Sequence, residues 1–399
     1  MTKSRGNNQM ENIFAVSAPG IEPFTTQELI ELGLLPSAGT TITQAQSSSA
    51  SAADDEGGGV EFTGDLRAIY RANLWLRTAS RILVRLGDFH AAAFSELRKK
   101  ASRLAWERYL VPGQAVALRV TCRRSRLYHT NAVAERIAGA IGDRLNQPPP
   151  LQKYDEKTEG RLPQLIIVRL ANDHCTISVD SSGALLHRRG YRLAIAKAPL
   201  RETLAAGEIL SAGWDLASPL IDPFCGSGTI PIEAALMACG IAPGSARRFA
   251  FMDWPNFDPA LWKALLAKGE RQIYPQVPRI MASDRDAGAI RMAQANAERA
   301  GVADYIEFSC RAISAIEPAG TGWVVTNPPY GLRGSANKDL RNLYAQLGNV
   351  LRAKCPGWHV AILCSDLRLL HQTGMRLNTS LSLDNGGVAV KLARGIVED

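Results

Sequence analysis

Asn327-Pro328-Pro329-Tyr330 combines residue types suited to chemistry on an amine. The Asn327 side-chain oxygen and the Pro328 carbonyl can accept both hydrogens of an exocyclic amine and aim its lone pair at an electrophile, while the Tyr330 ring can stack on a planar base. A Pro-Pro pair that merely ends a strand is the structural alternative, and it leaves the flanking Asn and Tyr unexplained. Upstream, Asp222-Pro223-Phe224-Cys225-Gly226-Ser227-Gly228-Thr229 has the composition of a sharp turn that a ligand can approach closely, followed by the free N–H groups of a helix start. Between the two lies Ala282-Ser283-Asp284-Arg285-Asp286. A carboxylate at a strand end can accept hydrogen bonds from both hydroxyls of a ribose, which assigns Asp284 to that role and leaves Asp286 to cap the next helix.

A glycine-rich turn alone also suits a dinucleotide or plain tight packing. No G-x-x-x-x-G-K-[ST] occurs, which excludes a P-loop, and G-x-G-x-x-G is incomplete because Ile232 stands at the third glycine's place. The seven cysteines form no C-x-x-C pair and have no histidine at ligand spacing, so neither a metal site nor a disulfide framework is expected. Cys225, inside the turn, reads as small and buried rather than nucleophilic. Trp254 with Pro255 and Phe257 reads as a core cluster rather than a base-stacking site.

These motifs need strands that end where they begin. From Leu220 onward strand and helix alternate: Leu220-Ile221, Ile230 to Ala238, Ile280 to Ser283, Ala287 to Ala300, Tyr305 to Ser309, Trp323 to Thr326, Leu340 to Leu351 and His359 to Cys364. Successive βα units predict an α/β doubly wound parallel sheet of Rossmann-like type, with Leu381 to Leu392 adding an antiparallel turn and strand at its edge. Earlier segments mix without regular alternation, which predicts small α+β modules. Thr25-Thr26-Gln27-Glu28 reads as a capping box before a helix ending at Gly33, and Phe94 to Trp106 as one helix. Leu165 to Leu170 and Cys175 to Asp180 form a hairpin around Asn172-Asp173. Ser37 to Gly59, rich in Ser, Ala and Gly, reads as a flexible insertion.

The charge is regional. Between Glu61 and Arg136 there are fifteen Lys and Arg against six Asp and Glu, a local +9 in a chain whose formal total is +8. Its densest parts are Arg98-Lys99-Lys100, and Arg123-Arg124-Ser125-Arg126 with Tyr128 and His129 beside them. Cations that displace counterions from phosphate, next to rings that can stack on bases, suit an RNA surface; a solvated helix face is the plain alternative. The chain of 399 residues, 46% hydrophobic and 21% charged, is long enough for two or three cores, and its start, MTKSRGNNQMEN, lacks an apolar leader. A reducing cytoplasm and no membrane are the expectation.

In the order DPFCGSGT, ASDRD, NPPY the chain resembles class I S-adenosylmethionine-dependent methyltransferases that act on exocyclic amines. The stretch from His187-Arg188-Arg189-Gly190-Tyr191-Arg192 to Ala198-Pro199-Leu200-Arg201-Glu202-Thr203-Leu204-Ala205 resembles the junction of THUMP-domain RNA methyltransferases. This resemblance implies a ferredoxin-like module over 11–65 with its insertion at 37–59, a THUMP domain over 66–182 that holds structured rRNA or tRNA, and a methyltransferase domain over 190–399. It implies that Thr203, Asp222, Phe224, Gly226, Gly228, Asp284 and Asn327 line S-adenosylmethionine, and that Asn327, Pro328 and Tyr330 hold the target base. Many class I enzymes carry an acid after the third strand to read the cofactor's adenine. Here Cys310-Arg311-Ala312 stands there, which leaves backbone groups or Asp304 for that task. Guanine N2 of 23S rRNA or tRNA is the expected target; adenine N6 of RNA or DNA, and a noncatalytic RNA-binding assembly factor, are the alternatives. DNA is disfavoured by the absence of a recognisable helix-turn-helix.

Overall fold

Strands whose alternate residues are apolar on both faces can be covered on both sides, and Glu11–Ser17 is one: Ile13 and Ala15 enter one core while Phe14 and Val16 enter another. The computed structural model describes residues 9–36, 58–156, 161–193, 200–269, 277–330, 337–385 and 387–398. Its N-terminal part runs β1 (Glu11–Ser17), α1 (Glu22–Glu31), β2 (Gly58–Gly64), α2 (Leu66–Trp75), β3 (Ala79–His90), α3 (Phe94–Ala101), β4 (Val116–Arg123), α4 (Thr130–Leu145), β5 (Gln164–Ala171) and β6 (His174–Asp180). These strands form one sheet in the order β2-β1-β3-β6-β5-β4, antiparallel except for the β4–β5 pair. The twelve-residue β3 is the seam, pairing with β1 on one side and β6 on the other, so one sheet runs across the expected 65/66 division.

Three local expectations are corrected. The first helix begins at Glu22, with Pro23 in its first turn, so Thr25 and Thr26 lie inside it, and Thr26 Oγ1 donates to the Glu22 carbonyl at 2.9 Å. Glu28 points inward instead of capping, and accepts from the backbone N–H groups of Arg77 and Thr78 at 2.9 and 3.1 Å. The helix at Phe94 stops at Ala101, whose carbonyl accepts the Trp106 indole N–H at 2.8 Å, and Trp106–Arg108 is a separate 3-10 turn. Of the expected insertion, 37–57 lies outside the described residues, but Gly58 and Gly59 belong to β2. A Cβ on Gly59 would sit 2.4 Å from the Ala15 carbonyl and 2.6 Å from the Phe14 ring, so the glycine is there to let that ring lie across the strand.

The second part runs α5 (Glu202–Ala212), β7 (Leu220–Asp222), α6 (Thr229–Ala238), α7 (Pro259–Gly269), β8 (Ile280–Asp284), α8 (Ala287–Arg299), β9 (Ile306–Cys310), β10 (Trp323–Thr326), α9 (Asn337–Lys354), β11 (His359–Cys364), α10 (Leu367–Gln372), β12 (Asn378–Asp384) and β13 (Ala389–Ile396). The sheet order is β12-β13-β11-β10-β7-β8-β9, parallel from β11 to β9. β13 inserts antiparallel between β11 and β12, so β12 rather than β13 is the edge. The chain winds outward from β7 through β8 to β9, then returns to β10 on the other side. A crevice opens at such a reversal, at the carboxyl ends of the strands.

The two parts bury side chains in each other. Phe249, Phe251, Trp254, Trp262 and Leu265 leave the second part to join the core beneath the first sheet, where Phe251 stacks on Tyr70 with ring centroids 4.4 Å apart. The Trp254 indole N–H donates to Gln164 Oε1 at 2.8 Å, so this tryptophan is core, as its sequence context suggested, but in the core of the other half. Ile21 makes the reverse move and is fully buried in the core of the second sheet. A buried polar network closes the seam: Arg77 Nη2 donates to the Ile241 carbonyl at 2.7 Å, Arg189 Nη2 to the Arg77 carbonyl at 2.6 Å, and the Tyr191 hydroxyl to Glu233 at 3.0 Å. Buried guanidiniums are tolerable only when held this way.

Candidate functional site

β7, β8 and β10 end side by side, and the sequence motifs follow their last residues. Asp222, which closes β7, is buried, and Thr326, which closes β10, donates its hydroxyl to Asp222 Oδ1 at 2.7 Å. The Phe224 N–H donates to the same oxygen at 3.1 Å, so both bonds end on Oδ1 and leave Oδ2 for a ligand. Burial, with Asp284 nearby, pushes the Asp222 carboxyl up to about 7 against the pull of the Thr326 bond.

The glycine turn is held from two sides. Gly226 N–H donates to Asp284 Oδ2 at 3.1 Å, and the Ser227 carbonyl accepts from the Asn296 side chain on α8 at 3.0 Å. Gly226 has φ +53° and Gly228 φ +86°, and they differ in what surrounds them. A Cβ on Gly228 would lie 3.0 Å from Ala293 Cβ, whereas one on Gly226 would meet nothing within 4 Å. Gly228 therefore serves the packing of α8, and Gly226 leaves a cradle open. Cys225 is buried, and burial, then Asp222 and Asp284, push its thiol well above its usual value, the opposite of what activates a thiolate. Asp286 caps α8, accepting from the Gly288 N–H at 2.7 Å.

Asn327 and Pro328 leave β10 at the same edge. Asn327 Oδ1 is buried without a hydrogen-bond partner, while the Tyr330 hydroxyl accepts from Asn385 Nδ2 at 3.2 Å, fixing the ring from the β12–β13 turn. Thr203 is buried in the first turn of α5. Next to it Glu202 pairs at 3.1 Å with Arg192, which also donates to the Thr229 hydroxyl at 2.7 Å and so ties the start of α5 to the start of α6. The part of that junction at 194–199, including Ala198 and Pro199, lies outside the described residues. Asp304 sits just before β9, at the strand's amino end and away from the crevice, which removes it as an adenine reader.

Sequence reasoning passed over Glu208. It lies in the middle of α5, fully buried, and neither carboxylate oxygen has a hydrogen-bond partner. Burial first, then Asp222, drives its carboxyl well above the usual range; the Thr326 N–H is near enough to oppose this, though not at hydrogen-bond geometry. An acid in a helix with no polar face, Glu-Thr-Leu-Ala-Ala-Gly-Glu-Ile-Leu-Ser-Ala, was the available signal. Asn385, in the turn expected between Leu381 and Leu392, is the other omission.

The basic residues separate into two groups. Arg98 is engaged by Asp143 through two bonds of 2.7 Å each, and Lys100 by Glu96 at 2.7 Å; Lys99 is exposed. At the other end of α4, roughly 20 Å away at 1.5 Å per residue, Arg123, Arg124 and Arg126 lead to Tyr128, which is 67% exposed with its ring centroid 4.1 Å from that of His129. Arg126 is 78% exposed at its side chain and lies at the margin of an ion pair with Asp173, 3.8 Å away. The structure does not bring the two groups together.

Residues 189–391 match the model of the RMKL-like methyltransferase domain, half of the chain. The chain belongs to the RMKL-like methyltransferases. This RMKL-like methyltransferase also matches the RlmL ferredoxin-like domain over 48–83 and the THUMP domain over 91–180. It is 34% identical over 96% of its length to slr0064 of Synechocystis sp., named as an RNA methyltransferase, and covers 95% of that protein. It is 36% identical to the ribosomal RNA large subunit methyltransferase K/L of Methylococcus capsulatus over 96% of its own length. The chain spans about half the length of such K/L relatives. The crystal structure of SMU.472 complexed with SAH superimposes with a TM-score of 0.81 at 29% identity, covering 98% of this chain and 99% of that one. The RMKL-like methyltransferase is an S-adenosylmethionine-dependent enzyme. The open cradle at Gly226 and the unpartnered Asn327 Oδ1 fit a ligand that brings bulk to the turn and N–H donors to the strand end. Among the described residues no group of three metal-ligating side chains occurs, and no helix is long and apolar enough to cross a membrane.

Proposed function

We propose that this enzyme methylates an exocyclic base amine of structured RNA, with guanine N2 of large-subunit rRNA or of tRNA as the target. The observation that carries this reading is Asn327 Oδ1: a buried acceptor with no donor, directly after β10 and beside the glycine turn. A buried acceptor without a donor is costly, so its place is filled when a substrate N–H arrives. Guanine is favoured by the resemblance of the NPPY region, and RNA by the THUMP match and the names of the K/L relatives.

In this reading S-adenosylmethionine supplies an electrophilic methyl on a positively charged sulfur. Asp222, Gly226, Gly228, Phe224, Thr203 and Asp284 hold it, with Asp284 toward the ribose. Asn327 and the Pro328 carbonyl accept the two amine hydrogens, which turns the nitrogen lone pair toward the methyl. Tyr330 stacks on the flipped base, whose extrusion costs a few kcal/mol and less from a loop. No general base is required, because the amine sheds its proton after the nitrogen–carbon bond has begun to form. Arg123, Arg124 and Arg126, with Arg98, Lys99 and Lys100, provide the cationic surface for the RNA backbone.

Nucleoside mass spectrometry of rRNA and tRNA from a strain lacking the gene tests the target directly: loss of N2-methylguanosine is expected, and loss of N6-methyladenosine instead would replace guanine by adenine. Asn327→Ala should remove methyl transfer while leaving cofactor affinity within a few-fold. Full activity in that variant would overturn the role of Asn327.

A further inference from the structure

Tyr128 carries the most exposed aromatic ring among the described residues, and methyl transfer has no use for it. It is 67% exposed, with its ring centroid 4.1 Å from that of His129 and the two planes 40° apart, so one face leans on the histidine and the other is open. A tyrosine ordinarily buries its ring and leaves only the hydroxyl wet.

The segment that presents this ring, between β4 and α4, is fixed in place. Leu127, the residue before it, is buried in the core beneath the first sheet. The Arg126 N–H donates to Asp173 Oδ1 at 2.6 Å, the Asp173 N–H to Ser125 Oγ at 3.0 Å and the Asn172 N–H to the Arg123 carbonyl at 3.1 Å, which clamp the segment to the β5–β6 turn. The ring therefore stays outward instead of collapsing onto the surface, and a ligand that meets it has little ordering to impose. Arg124 has φ +48°, a left-handed conformation that suits glycine, so a long cation is kept there at the expense of stability. Arg124 is exposed, as is the Arg126 side chain. An open ring face with two outward guanidiniums a few positions away matches a nucleotide, its base on the ring and its phosphates on the cations. An acidic peptide would meet the arginines but brings no obligatory flat group for the ring. A base within a duplex already has both faces covered, so the base that fits is an unpaired one.

We propose that Tyr128 is a stacking site for an unpaired nucleotide of the RNA, with Arg124 and Arg126 on the flanking phosphates. The inference rests on the RNA reading and narrows the class of substrate. β4 is the edge strand of the first sheet, whereas Asn327 follows β10 of the second, so the nucleotide at Tyr128 is distinct from the one methylated. A substrate then has to offer single-stranded nucleotide in addition to its target base, and a continuous duplex engages the arginines alone.

The test compares a single strand with a duplex. Fluorescein-labelled oligouridine of about 12 nucleotides has π-faces but no exocyclic amine for Asn327 to hold, and a blunt RNA duplex of about 12 base pairs has no unpaired base. In anisotropy titrations of the full-length protein, Tyr128→Ala should weaken oligouridine binding by about five- to a hundredfold, the worth of one base stacked on an aromatic ring, while Tyr128→Phe and Tyr128→Trp stay within about twofold, and duplex affinity stays within about twofold in all three. Because no charge is removed, the slope of log affinity against log salt should not change in Tyr128→Ala, whereas Arg126→Ala should lower it by about 0.7 on the single strand. Unchanged affinity of Tyr128→Ala for oligouridine would overturn the proposal and leave the ring to a protein partner. Equal losses on single strand and duplex, or a Tyr128→Phe variant as weak as Tyr128→Ala, would overturn it too, since the ring would then support the loop or act through its hydroxyl. If the unmutated protein binds neither probe at low salt, the RNA reading itself fails, which is a different result from an insensitive variant.

Discussion

Gly226 and Gly228 stand two residues apart in the same turn, both with positive φ, yet their surroundings predict opposite consequences for alanine. Either substitution pays for a left-handed conformation, about 1–2 kcal/mol. At Gly226 nothing lies within 4 Å of the added Cβ, so the stability loss stops there. At Gly228 the Cβ would lie 3.0 Å from Ala293 Cβ, 3.2 Å from Ala293 Cα and 3.2 Å from Ile232 Cδ1. Ala293 and Ile232 must then give by a few tenths of an ångström, adding about 1–3 kcal/mol of overpacking for a total of about 2–5 kcal/mol. For ligand binding the order reverses, because the free space at Gly226 is the space a ligand at the turn would occupy. Urea unfolding combined with S-adenosylhomocysteine titration separates the two effects. Gly226→Ala should lose tenfold or more in affinity, about 1.4 kcal/mol, at a small stability cost; Gly228→Ala should show the larger stability loss. If Gly226→Ala binds within twofold of the unmutated enzyme, the open space is not the cofactor cradle and the assignment of the turn fails.

Three other outcomes are expected. Replacing Arg123, Arg124 and Arg126 by alanine should weaken RNA binding and lower the slope of log affinity against log salt by up to about 2–3, at roughly 0.7–0.9 per phosphate contact; Arg98→Ala, which removes a side chain engaged by Asp143, should change the slope less, and equal effects in filter-binding assays would contradict the division of the basic residues. Phe251→Ala should cost about 3–5 kcal/mol in urea unfolding, with fluorescence and circular dichroism tracing one transition, since the ring belongs to one half and its core to the other; a loss below about 1 kcal/mol would deny the contact its structural role. Asp222 has a folded-state value of about 7, above the ordinary carboxylate range, chiefly through burial. The folded protein therefore holds a proton there that the unfolded chain has released, so this contribution to stability is present in acid and is lost as pH rises from about 4 toward 7. Asp222→Asn keeps an oxygen for Thr326 and should make the ligand-free protein lose less stability between pH 5 and pH 8; an unchanged pH profile would show that this carboxyl is not shifted.

The catalytic sheet was legible because each of its motifs sits where a short apolar run ends: Trp323 to Thr326 and His359 to Cys364 appear with the expected limits. The hairpin at Asn172-Asp173 was equally plain, since both residues take positive φ, 52° and 61°, as the turn chemistry demands. Local signals failed where a distant partner decides. Thr25-Thr26-Gln27-Glu28 has the letters of a capping box, but the Arg77 and Thr78 N–H groups need an acceptor and draw Glu28 inward. Gly58 and Gly59 look like the end of a linker because nothing nearby in the sequence announces that the Phe14 ring covers them. Glu208 escaped because one acid in an apolar helix reads as a surface position, and only the packing of α5 against the sheet encloses it.

The exchange of side chains between the halves also sets a schedule for synthesis. As the chain emerges from the ribosome, the first sheet is complete in strands once Asp180 is out, but Phe249, Phe251, Trp254, Trp262 and Leu265 of its core are still to come. Until about 70 further residues have been translated Tyr70 has no Phe251 to stack on, and until about 85 have been translated part of the underside of the sheet presents apolar surface to solvent. Domains that fold in order as they are made do not suffer this delay. This chain must keep a nearly finished sheet open, a period in which a chaperone has most to protect and in which truncation anywhere between Asp180 and Leu265 would leave the N-terminal half unable to close.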